Sequence, residues 1–117
     1  MTVLQLKEIL SAELLCGGDH LDREVQTACG SDMMSDVLAF VKEQAVLLTG
    51  LVNPQVVRTA EMMDMKVIVF VRGKKPTQEI IDKAEESGMV LLSTTHTLYC
   101  TSGILYSNGL TGIGRRK

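Results

Sequence analysis

The sequence predicts an α/β fold: a single layered domain, a mostly parallel sheet with helices on both faces. Three observations carry this. Short aliphatic runs alternate with stretches of helical periodicity. The central runs are apolar at every position, as strands covered on both faces must be. Gly, Asn and Pro mark the junctions where each strand hands over to a helix. Strand, helix, strand in that order requires parallel pairing through right-handed crossovers.

The elements follow from local chemistry. "TVLQ" at 2–5 is a capping box, in which the Thr2 hydroxyl accepts from the Gln5 N–H and the Gln5 side chain reaches back. Leu6, Ile9 and Leu10 then share one helical face. Leu14 to Cys16, followed by Gly17, Gly18 and Asp19, reads as a short strand and a turn. Val25 to Cys29 alternates between faces like a half-buried strand. Ser31 to Asp36 is polar apart from Met33 and Met34, and Ser35 is placed to cap a short helix carrying Val37, Leu38 and Val41. Residues 45–49 form a buried strand. Asn53 caps the next helix with Pro54 in its first turn, and Val56, Val57, Ala60 and Met63 trace its inner face. "VIVFV" at 67–71 is the strongest strand signal in the chain. Thr77 opens a helix with Ile80, Ile81 and Ala84 inward, and Gly88 closes it. Met89 to Leu92 is a further strand, and Ser93 to Thr95 leads to a last helix with Leu98, Leu105 and Tyr106. The two central units, Gly50 to Pro54 and Gly73 to Pro76, look alike. A weak internal duplication and the geometry shared by all such turns explain this equally well.

A chain of 117 residues suits one domain. The reading places that domain at 1–110 and a basic tail at 111–117. With 45% hydrophobic residues but 3% aromatics and no Trp, the core must be aliphatic. A net charge of -2 gives no general attraction to nucleic acid. No run approaches the roughly 20 apolar residues of a membrane span, and the charged start argues against a secretory leader. The expected location is cytoplasmic. The three cysteines, Cys16, Cys29 and Cys100, are scattered, which fits reduced and mostly buried thiols rather than a disulfide frame or a zinc site.

"LDREV" holds Asp22 and Arg23, "LLTG" holds Thr49 and Gly50, and "VRGKKP" holds Gly73. In that order these residues resemble the Asp, Arg, Thr, Gly, Gly signature of the DRTGG domain. The opening helix, "GGDHLDREV" and "VLLSTTHT" extend the resemblance over roughly residues 1 to 110. One departure stands out: the family's last glycine commonly lies in a "TGG" stretch, where this chain has Val71, Arg72 and Gly73. The resemblance implies a fold similar to the N-terminal domain of HPr kinase/phosphorylase. It also implies a regulatory position, since such domains occur beside CBS pairs in regulated pyrophosphatases and in long phosphotransacetylases, often at a dimer interface. Free-standing copies occur near genes for iron-only hydrogenases and histidine-kinase-like proteins.

Kinase chemistry itself is not expected. The nearest approach to GxxxxGK[ST] runs from Gly109 to Gly114, with no preceding strand, no Lys and no Ser or Thr after it. His20 and His96 have no partner at metal-ligand spacing, so no metal and no cofactor are expected. Cys100 lies a turn beyond His96, yet a nucleophile needs a base and an oxyanion donor too, and no such set is identifiable.

Asp22 and Arg23 admit two readings: a salt-bridged turn before the second strand, or an Arg reaching a ligand anion or a partner carboxylate. The strongest ligand candidate is the basic stretch Arg72, Gly73, Lys74, Lys75, which follows the carboxyl end of the best strand. Thr49 and Gly50 follow a neighbouring strand, and Ser93, Thr94 and Thr95 a third. Together these loops would hold a phosphorylated small molecule; the competing reading is that they make only turns and caps. Met33, Met34, Met62, Met63 and Met65 suit either gap-filling core or an adaptable interface. The function expected is a non-catalytic, dimeric regulatory module that binds a nucleotide-like or other anionic metabolite and acts through a partner. The alternative is a ligand-free subunit docking on a redox or signalling complex.

Overall fold

The computed structural model describes residues 1–33 and 44–111. The expected Ser35-capped helix, Met34 and the tail beyond Thr111 lie outside the described residues. Helix α1 (Val3–Ile9) opens the chain, followed by strand β1 (Glu13–Cys16), a 3-10 turn (Gly18–His20), β2 (Thr27–Gly30) and β3 (Ala45–Thr49). Then come α2 (Pro54–Met62), β4 (Val67–Phe70), α3 (Gln78–Glu86), β5 (Val90–Ser93) and α4 (Leu98–Ser107). The strands form one sheet in the order β1-β5-β4-β3-β2. Three neighbouring pairs are parallel, while β1 runs antiparallel to β5.

Alternation along the central strands divides the core into two layers. Ala45, Leu47, Ile68, Phe70 and Leu91 point to one face, where they pack with Val56, Ala60, Ile80 and Ala84 of α2 and α3. Val46, Leu48, Val67, Val69, Val90 and Leu92 point to the other, against Val3 and Leu6 of α1 and Leu105 of α4. Burial of Phe70 alone contributes roughly 2–3 kcal/mol. The expected caps form: Thr2 and Gln5 complete the capping box, Asn53 accepts from the Val56 N–H, and Thr77 accepts from the Ile80 N–H.

Several elements differ in detail from the expectation. The second strand begins at Thr27 rather than Val25, because the Val25 N–H donates to the Met1 carbonyl and pairing with β3 starts at Thr27. The β5 ladder runs one residue later than expected, with Met89 buried just before it. Tyr106 and Tyr99 stand 66% and 89% exposed on α4. Met65 is wholly buried in the core, Met63 packs against it, and Met33 and Met62 are exposed. The thiols are not uniformly buried either: Cys16 is, Cys29 is half-buried and Cys100 is exposed. Burial pushes the Cys16 thiol up to about 11.

From β2 to β5, strands adjacent in sequence are adjacent in the sheet. Their order never reverses, and reversal is what opens the ligand crevice of doubly wound sheets. Among the described residues the carboxyl ends of these strands therefore present a row of loops.

Candidate functional site at the carboxyl edge

The register sets Thr49, Phe70 and Ser93 side by side as strand ends. The loops that follow, carrying Thr49 and Gly50, Arg72 to Lys75, and Ser93 to Thr95, consequently emerge on one edge. A fourth joins them: the Ser31 N–H donates to the Leu48 carbonyl and brings Asp32 out beside Thr49.

Asp32 is the residue that sequence reasoning missed. Its Oδ1 accepts from the Thr49 hydroxyl and from the Gly50 N–H, each at 2.8 Å. The Gly50 N–H, helped by the Thr49 hydroxyl and the Arg72 charge, holds this carboxyl below its ordinary range against the opposing effect of partial burial. Thr49 is fully buried, and its Oγ1 in turn accepts from the Leu51 N–H at 3.2 Å. Asp32 itself is exposed and closes this small polar corner from the solvent side.

Arg72 occupies a turn built for glycine. The Lys74 N–H donates to the Val71 carbonyl at 3.1 Å, and φ is 59° at Arg72 and 70° at Gly73. Positive φ at both central residues is the type I′ pattern. For an L-residue such as Arg this conformation costs roughly 1–2 kcal/mol. Two bonds of 2.8 Å hold it there, from the Arg72 N–H to the His96 carbonyl and from the Gly73 N–H to the Thr94 carbonyl. The guanidinium lies over Gly50, where a Cβ would stand only 2.5 Å from Arg72 Nη2. Gly50 thus does two jobs: its N–H binds Asp32, and its missing side chain makes room for Arg72. Among the described residues the Arg72 guanidinium has no hydrogen-bonded partner.

The remaining residues of the edge are mostly engaged. The Ser93 hydroxyl donates to the Lys74 carbonyl at 2.8 Å, and the Thr94 hydroxyl to the Leu10 carbonyl at 2.9 Å. Both fix the loops to one another. Thr95 and Lys74 are exposed. Lys75 pairs with Glu13 of β1 at 2.7 Å, a half-exposed ion pair of modest worth.

Asp22 and Arg23 are not brought to this edge. Arg23 Nη1 donates to the Gly88 carbonyl at 2.9 Å and more weakly to that of Lys66 at 3.4 Å, at the starts of β5 and β4. Four-residue strands put that edge roughly 13 Å away. The Arg23 carbonyl also accepts from the Val3 N–H, tying α1 to the sheet. Asp22 is exposed. His96 and Cys100 line a groove of about 850 Å³ along α4, with Tyr99 and Tyr106. Among the described residues no cluster of His, Cys, Asp and Glu could hold a metal ion, and no helix is long and apolar enough to cross a membrane.

These features define a small α/β domain with a polar, cationic loop edge. The chain belongs to the DRTGG domain family, whose pattern matches residues 5–107. Its fold is similar to the solved CBS and DRTGG domains of the regulatory region of Clostridium perfringens pyrophosphatase, in complex with the activator diadenosine tetraphosphate. That match has 15% identity and a TM-score of 0.71, covering 89% of this chain and 45% of that one. No curated protein matches.

Proposed function

We propose that this chain is a non-catalytic regulatory module that binds a nucleotide-like or other anionic small molecule at its carboxyl edge. It acts through a partner protein, as a homodimer in the cytoplasm. One observation carries the reading: a guanidinium held over a glycine, beside bonded N–H and hydroxyl donors, in a backbone conformation that disfavours arginine. Positive φ recurs at exposed Ser11, Gln44 and Asp64; what sets Arg72 apart is that its turn carries a guanidinium onto Gly50, beside the donors that hold Asp32. The regulatory region that shares this fold is complexed with a nucleotide activator, which supports the ligand class.

The ligand-free docking alternative is favoured by a different surface, the outer side of α4. Tyr99, Cys100, Gly103 and Tyr106 are exposed there without a charged residue among them. Thermal shift against adenine nucleotides and phosphometabolites separates the two, because a ligand of the folded state raises the Tm. A rise that disappears in Arg72→Ala and Lys74→Ala is expected. A flat response at millimolar ligand would favour docking. Light scattering at micromolar concentration tests the dimer, and a monomer would contradict it.

A further inference from the structure

We infer that Asp32 is a built-in occupant of the anion site, holding the donors that a ligand phosphate would take and leaving when the ligand binds. This rests on the reading that the edge binds an anion.

The geometry supports it in three ways. A single carboxylate oxygen collects both donors of the β3 corner, the Thr49 hydroxyl and the Gly50 N–H, at 2.8 Å each. That carboxylate comes from the end of β2, 17 and 18 positions away, rather than from the turn it satisfies. Thr49 is fully buried and its hydroxyl donates to Asp32, while Asp32 is solvent-exposed and so has somewhere to go. A phosphoryl oxygen makes the same demand as a carboxylate oxygen, namely charge-assisted bonds from N–H and O–H donors. With Asp32 removed, one phosphate would meet the Thr49 hydroxyl, the Gly50 N–H and the Arg72 guanidinium together. With Asp32 in place, a phosphate would meet a like charge. The site is therefore self-capped, and its ligand must carry a terminal phosphate or polyphosphate group charged strongly enough to displace a carboxylate.

Calorimetric titration of the full chain with inorganic tripolyphosphate tests this. Asp32→Asn keeps an acceptor oxygen for both donors and removes the charge, so the corner stays folded; Asp32→Ala removes the occupant outright. Both should bind at least about tenfold more tightly than the unmodified chain. Adding Arg72→Ala to Asp32→Asn should reverse the gain by a similar factor. Asp19→Asn, an exposed carboxylate at the opposite edge, makes the same change in net charge and should alter affinity less than about twofold. The inference is overturned if Asp32→Asn binds no more tightly than the unmodified chain, if Asp19→Asn gains as much, or if the gain survives loss of Arg72. Equal binding by the unmodified chain, Asp32→Asn and Asp32→Ala, with weaker binding once Arg72→Ala is added, would sink the inference and leave the anion-binding reading standing. No binding by any form at millimolar tripolyphosphate would sink both.

Discussion

Each edge of the sheet sets an arginine beside a glycine, and the two guanidinium groups do different work. At the amino edge Arg23 is half-buried and donates to the Gly88 and Lys66 carbonyls. It satisfies acceptors just before β5 and β4. At the carboxyl edge Arg72 is exposed, lies across Gly50 and has no hydrogen-bonded partner among the described residues. One arginine is a joint between strands; the other is, on the proposed reading, the charge that meets a ligand. Residue type alone does not separate the two roles, since what matters is whether backbone carbonyls already claim the donors.

If this contrast holds, damage at the amino edge should cost stability and damage at the carboxyl edge should cost binding. The largest effect is expected at Gly17, where φ is +93° and a Cβ would stand 2.7 Å from the Met89 carbonyl oxygen. Gly17→Ala should destabilise by about 3 kcal/mol in urea unfolding, since backbone must move and the turn is left-handed. Arg23→Ala should cost about 1.5–2 kcal/mol by leaving its carbonyls without a charged donor, with ligand response intact. Arg72→Gly should do the opposite, raising stability by about 1 kcal/mol through relief of the left-handed conformation while abolishing the ligand-induced Tm rise. If Arg72→Gly destabilises instead, the left-handed turn is not a source of strain.

The smaller effects concern protons. The folded-state pKa of Asp32 lies below its unfolded value, so the stability it contributes is complete above about pH 4. That contribution is lost as pH falls through the lower folded value. Asp32→Asn cannot show this loss, so the Tm gap between it and the unmodified chain should narrow as pH drops from 5 to below 4. At the other end of the scale, the Cys16 thiol, pushed up to about 11, should resist iodoacetamide at pH 8. Exposed Cys100 should react first.

Much of the fold was legible because local chemistry decided it. The five residues of β3 are all buried, and the Thr2, Asn53 and Thr77 caps are chosen by side chains within three residues. The antiparallel run of β1 was not legible, since its partner Ser93 lies 80 positions from Glu13 and nothing local specifies direction. The same reason hid Asp32. It sits in a polar stretch with no local signature, and only the ladder that carries β2 to Gly30 places it opposite Thr49. A strand that ends at Gly30 places Asp32 two residues past the end of a parallel strand, where a carboxylate is a visible candidate. The hydroxyls of Ser93 and Thr94 misled in the opposite direction. Their position after a strand suggested ligand donors, yet both donate to backbone carbonyls.

The most direct test of the division between the edges is a titration of ATP into the ¹⁵N-labelled chain, followed through its glycine amides. Gly50 and Gly73 lie at the carboxyl edge, Gly17 and Gly88 at the amino edge. Shifts at Gly50 and Gly73 that saturate with ligand, with Gly17 and Gly88 unmoved, are the predicted result. Shifts at Gly17 and Gly88 with Gly50 and Gly73 silent would contradict it.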